Sequence, residues 1–210
     1  MIDEMKIKTK VIGVDITLNY TTCAVIDIRG YILGKDSFAM TDYPDVNNFV
    51  TVLCEKIVKL AEAHGGFENI RSVGVSAPSS NFKTGCVENA SNLKWKGVVP
   101  LAAMLRDRLG IAVAVGNDAH VAALAERTYG SAHGMDNFLV MTFTDGGVGS
   151  SIFVNGRVHL GTNGFSGEIG HTLVVENGRQ CGCGHKGCLE TYVSILGIVQ
   201  NLRDLLKESD

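Results

Sequence analysis

The chain has 210 residues, 45% hydrophobic and 20% charged, enough for one large domain or two small ones around a core that needs no disulfide staples. Lys and Arg total 19 against 22 Asp and Glu, a formal charge of -3, so there is no basic surplus to neutralise a nucleic-acid backbone. The apolar runs are too short to span a bilayer, and residues 1–10 alternate charge without a signal-peptide core, so a cytoplasmic protein without membrane contact is expected.

In chain order, the first predicted elements are three short β-branched runs at residues 10–17, 23–28 and 31–33, joined by tight turns. They read as an antiparallel meander. From Asp45 the apolar positions Val46, Phe49, Val50, Leu53, Cys54, Ile57, Leu60 and Ala61 mark one face of a helix that stops at Gly65-Gly66. A strand follows at 72–76, a helix at 100–109 closed by Gly110, a strand at 111–115, and a helix at 118–129 ending at Gly130. Residues 138–143 and 149–154 read as paired strands about a glycine-rich turn. A last helix follows Cys188, with Leu189, Val193, Leu196, Val199, Leu202, Leu205 and Leu206 as its apolar positions. This order predicts an α/β chain with a mixed sheet flanked by helices and a second sheet starting near 138. The domain boundary is placed near 114–118, giving units of 1–115 and 116–210.

Glycine is abundant at 25 and proline scarce at 3, with 18 of the glycines at or after Gly97. Such a second half suits loops in which backbone turns sharply or approaches a ligand. The densest chemistry lies there. Cys181-Gly182-Cys183-Gly184-His185-Lys186-Gly187-Cys188 places three thiols within eight residues, and His171 stands ten positions earlier. Three thiolates and one imidazole make a closed tetrahedral shell, which predicts a structural Zn2+. Spacing alone leaves His171 and His185 as alternatives for the fourth ligand. The C-x-C spacing matches none of the usual iron–sulfur runs.

Three further groups are candidates. Asp118, in Gly116-Asn117-Asp118-Ala119 between a strand and a helix, suits a general base acting on a bound hydroxyl, and equally an ordinary helix N-cap. Glu168 and His171 stand three apart, and Glu190 follows the last cysteine; two carboxylates tied to a metal loop suit a hydroxyl-rich ligand. Two turns, Val14-Asp15-Ile16-Thr17-Leu18-Asn19 and Asp145-Gly146-Gly147-Val148-Gly149-Ser150-Ser151, are candidates to cradle phosphate on backbone N–H groups.

Together these segments resemble the ROK family of bacterial sugar kinases and sugar-responsive repressors. The resemblance runs from about residue 10 to 195. It is carried by residues 11–17, Ala77-Pro78, Thr84-Gly85, Asn92-Leu93-Lys94-Trp95, Asn117-Asp118-Ala119, Gly167-Glu168-Ile169-Gly170-His171 and the Cys181 to Glu190 run, in a layout most like the glucokinase branch. It implies an actin-like (ribonuclease H-like) two-domain ATPase fold, with the C-terminal part expected to be missing from this chain. It implies Asp118 as the catalytic base, His171 as the zinc histidine beside Cys181, Cys183 and Cys188, and sugar contacts from Asn117, Asp118, Glu168, His171 and Glu190. Ser91 and Asn92 would help line the cleft. ATP-Mg2+ would meet Asp15, Thr17, Asn19, Gly146, Gly147 and Gly149. The expected partners are a hexose or N-acetylhexosamine and a second copy in a homodimer, with no nucleic acid bound by this chain alone.

The phosphate turns depart from the kinase pattern. Family kinases carry Asp-x-Gly-Gly-Thr where this chain has Asp15-Ile16-Thr17-Leu18-Asn19, and Gly-Thr-Gly-x-Gly where it has Asp145-Gly146-Gly147-Val148-Gly149. The repressor branch alters both turns in this way, but carries an N-terminal helix-turn-helix that the ten or so residues before the first strand do not supply. An ATP-dependent hexose kinase is therefore the leading expectation, and a sugar-sensing regulator or pseudokinase the alternative.

Overall fold

The computed structural model describes residues 8–90, 93–144 and 147–207. The chain divides into two compact units between Asn117 and Asp118, two residues beyond the expected division.

The first unit holds β1 (Lys10–Ile16), β2 (Tyr20–Asp27), β3 (Ile32–Ala39), α1 (Val46–Ala63), β4 (Ile70–Ala77), β5 (Ser80–Asn81), β6 (Cys86–Glu88), β7 (Val98–Val99), α2 (Leu101–Leu109) and β8 (Ala112–Asn117). Its main sheet has the order β3-β2-β1-β4-β8. The meander β1-β2-β3 is antiparallel, while β4 and β8 run parallel to β1. Alternation in β1 buries Ile12, Val14 and Ile16 and leaves Asp15 on the opposite, exposed side. The buried row packs with Val25, Val73 and Val75 against Phe49, Leu53 and Ile57 of α1, and Trp95 closes this core 4.7 Å from the Phe49 ring.

Local chemistry sets the limits of α1. Asp45 accepts the Asn48 N–H at 3.0 Å as N-cap, and at the far end Gly66, at φ 95°, donates its N–H to Ala61 O at 3.0 Å. Asp45→Ala is expected to cost about 1 kcal/mol by removing that cap, read as a lower urea midpoint at unchanged slope. A small antiparallel sheet, β5-β6-β7, was not expected; its strands of two or three residues are too short to show an alternating pattern.

The second unit holds α3 (Asp118–Tyr129), β9 (Phe138–Thr144), β10 (Gly147–Val154), β11 (Arg157–Val158), α4 (Glu190–Val193) and α5 (Ile195–Lys207). The strands β11-β10-β9 form an antiparallel sheet, and Ala119 and Ala123 of α3 are buried. The expected last helix is two helices, because Ser194 takes an extended conformation at ψ 165° between α4 and α5. Among the described residues no helix is long and apolar enough to cross a membrane.

Candidate metal centre and carboxylate cluster

The loop between β11 and α4 is shaped by backbone and ends on chemistry. Ser150 Oγ of β10 donates to Gly167 O and accepts the Ile169 N–H at 3.1 Å, which pins the segment carrying Glu168 and His171 to the sheet. A 3-10 turn at Ile169–His171 then points into the cysteine loop, which is folded back by the bridges Leu173↔Cys188 and Gln180↔Lys186. Glycine is required at 187: its φ is 79°, and a Cβ there would collide with the Val175 carbonyl.

This folding brings four side chains together. One ligand atom each from His171, Cys181, Cys183 and Cys188 lies within 4.8 Å of the others. Cys183 Sγ is 3.7 Å from Cys188 Sγ, and His171 Nδ1 is 3.6 Å from Cys181 Sγ. Around one zinc ion, Zn–S near 2.3 Å and Zn–N near 2.0 Å give tetrahedral edges of about 3.8 Å and about 3.5 Å, so the donor set fits that ion. His185 stands outside this group, with Nδ1 3.5 Å from Cys183 Sγ. The thiols differ in acidity. Bonds from His185, backbone first and then ring, lower Cys183 to about 6, whereas burial and the Glu190 carboxylate push Cys181 well above the ordinary thiol range. Burial likewise raises Cys188.

The carboxylates adjoin this loop. Glu190, at the first position of α4, has Oε1 2.9 Å from Cys181 Sγ and 3.6 Å from His171 Nδ1. On the other side of the imidazole, Nε2 is 4.0 Å from Glu168 Oε2. The Glu168 carboxyl is raised from its ordinary value, first by burial, while the His171 and His120 rings oppose the shift and the charges of Asp118 and Glu190 add to it. Asp118, His120, His171 and Glu190 are therefore all electrostatic neighbours of Glu168. Asp118 opens α3, and its Oδ1 accepts the Ala119 N–H at 2.9 Å, so it serves the helix end as well. His120 was missed in the sequence. It is buried, with Nε2 3.2 Å from Ser166 O, and its only sequence signal was a polar residue two places after Asp118.

Asn117 ends β8 opposite Ala77 in the first unit. Asp15 is exposed on β1, and Thr17 and Asn19 lie in the following turn. There Thr17 donates both its N–H and its hydroxyl to Tyr20 O at 2.9 Å, and its Oγ1 accepts the Tyr20 N–H at 3.2 Å. These two backbone donors are thus occupied by the turn itself. Gly147, at φ 135°, lies against Glu190: a Cβ there would stand 2.5 Å from Oε2. Gly149 packs on Thr142 across the β9–β10 ladder. Ser91, Asn92 and Gly146 lie outside the described residues.

The sequence is 33% identical over 192 residues to the glucokinase of Halalkalibacterium halodurans, covering 90% of this chain and 58% of that protein. It is 28% identical over 200 residues to the xylose repressor of Caldicellulosiruptor bescii, covering 94% of this chain and 50% of that one. The chain thus spans little more than half the length of these relatives. The fold superposes with a TM-score of 0.78 on a ROK family glucokinase from Streptomyces griseus, solved with glucose and AMPPNP, at 32% identity over 91% of this chain and 59% of that one. With residues 11–210 matching the ROK family, this chain belongs to that family and forms part of its actin-like α/β ATPase fold.

Proposed function

We propose that the chain binds a hexose or N-acetylhexosamine through Asp118, Glu168, His171 and Glu190, and serves ATP-dependent phosphorylation of that sugar in the cytoplasm. The observation that carries this proposal is the clustering of three carboxylates and an imidazole beside a four-ligand metal loop. Acceptor oxygens of this density suit a ligand rich in hydroxyl donors. Zinc, when bound by His171, Cys181, Cys183 and Cys188, holds the loop and hence the His171 ring and Glu190 in place. The glucose in the Streptomyces griseus structure supports the substrate class.

In the proposed reaction a sugar hydroxyl oxygen forms a bond to the γ-phosphorus of ATP-Mg2+, the bond to the β–γ bridging oxygen breaks, and ADP leaves. The Asp118 carboxylate takes the hydroxyl proton. In the first unit, Asp15, Thr17 and Asn19 are the positions proposed to face the nucleotide. A coupled ADP-release assay across glucose, mannose and N-acetylated hexosamines tests the activity. Sugar-dependent ADP release supports it, and silence on all of them with sugar still bound excludes it.

One observation favours a second reading, a sugar sensor that keeps the sugar site and does not phosphorylate. The clasp between Thr17 and Tyr20 occupies backbone donors of the first turn that a nucleotide phosphate would need. The similarity to the Caldicellulosiruptor bescii xylose repressor is in keeping with such a role.

A further inference from the structure

Glu168 stands on a turn whose backbone is gripped from two sides. On the helix side, His120 in the first turn of α3 is 6% exposed, and its Nε2 lies 3.2 Å from Ser166 O. A carbonyl only accepts, so Nε2 carries the hydrogen of that bond. On the sheet side, Ser150 of β10 is 5% exposed; its hydroxyl donates to Gly167 O and accepts the Ile169 N–H at 3.1 Å. The turn lies so close to β10 that a Cβ at Gly170 would collide with Val148 O. The two Ser150 bonds hold the peptide groups on either side of Glu168, and the His120 bond holds the one before them. All three are made to backbone and leave the Glu168 carboxylate for another partner.

A surface turn ordinarily leaves its carbonyls to water. Two buried polar side chains devoted to one turn fit instead a supporting layer that fixes the direction of a binding group. An imidazole and a hydroxyl suit that task, because each has few torsions through which to drift. His120 also stands two residues after Asp118 on α3, so its bond ties the helix turn that carries Asp118 to the turn that carries Glu168. Burial raises the Glu168 carboxyl while the His171 and His120 rings oppose that rise, which puts the His120 ring within electrostatic reach of the group it would aim.

We propose that His120 and Ser150 are positioning residues for the sugar: they act through the backbone of the 166–169 turn and aim the Glu168 carboxylate at a sugar hydroxyl. The inference rests on the reading of Glu168 as a sugar contact, and adds to it two residues that do not touch the sugar.

The test is isothermal titration of the zinc-loaded full chain with glucose, mannose and N-acetylglucosamine, run on single and double variants. His120→Leu and Ser150→Ala are each expected to weaken sugar binding about 3–10-fold, with the circular dichroism and zinc content of the wild type. His120→Gln, whose side-chain amide N–H takes the place of Nε2–H, is expected to stay within about 2-fold of the wild type. Glu168→Ala is expected to lose about tenfold or more, and in that background His120→Leu and Ser150→Ala are each expected to cost less than about 2-fold further, because the group they aim is gone. A role in folding alone would keep its full effect there. If His120→Leu does not fold, Ser150→Ala and its combination with Glu168→Ala decide. Full additivity with Glu168→Ala, wild-type affinity in Ser150→Ala or His120→Leu, or no rescue by His120→Gln overturns the inference and leaves the Glu168 contact standing. A wild type that binds none of the three sugars, or unchanged affinity in Glu168→Ala, overturns the contact and the inference together.

Discussion

Cys181→Ser is expected to lower bound zinc from one ion per chain to below about a tenth, and to weaken sugar binding by about 10–100-fold. The second effect follows from geometry. Cys181 is within 2.9 Å of Glu190 Oε1, its neighbour in the shell is the His171 ring, and that ring approaches both Glu168 and Glu190. Losing one ligand therefore frees a loop whose other end positions two proposed sugar contacts. The first unit has its own core around Phe49 and Ile57 and should unfold as before, so the substitution should split the thermal transition rather than simply lower it. Metal analysis of protein purified without chelator, followed by calorimetric unfolding, reads both outcomes. Substoichiometric zinc in the wild type would contradict the metal assignment. Stoichiometric zinc in a His171→Ala variant but not in His185→Ala would overturn only the choice of histidine.

Asp118→Asn is expected to reduce turnover by about 10²–10⁴-fold while sugar affinity stays within a few-fold. The amide keeps the shape and still accepts the Ala119 N–H through its oxygen, so α3 retains that bond. It does not accept the proton of the attacking hydroxyl. The assay is coupled ADP release, with sugar affinity measured separately so that binding and chemistry are not confused. A wild type that binds sugar and releases no ADP identifies the sensor instead. In that case Thr17→Gly with Leu18→Gly and Asn19→Thr is expected to restore some nucleotide binding, because removing the Thr17 hydroxyl frees the Tyr20 N–H that it now accepts.

Much of this was legible in the sequence because the signals were periodic or chemically dense. The stripe from Val46 to Ala61 gave α1 with its Gly65-Gly66 stop, and three β-branched runs gave the meander. The cysteine cluster pointed to metal on spacing alone; spacing left His171 and His185 level, the family resemblance implied His171, and in the fold the His171 ring lies with the three thiols. What was missed has physical reasons. Strands such as Ser80–Asn81 and Val98–Val99 are shorter than one period of alternation. The break at Ser194 leaves the apolar spacing of α4 and α5 continuous, so periodicity does not report it. His120 is a single polar residue in a helix, and its meeting with Ser166 O is a contact across 46 positions of sequence. The α5 stripe was visible, but a stripe says only which residues share a face.

The central claim is that the carboxylates beside the metal loop hold a sugar. Isothermal titration of the zinc-loaded full chain with glucose and N-acetylated hexosamines, repeated on Glu168→Gln and Glu190→Gln, tests it most directly. Hydrogen bonds to charged groups contribute about 1.5–3 kcal/mol, so one site per chain is expected with at least one of the sugars, weakened about tenfold or more by each substitution. A wild type that binds none of these sugars, or binding that both substitutions leave unchanged, would contradict the account.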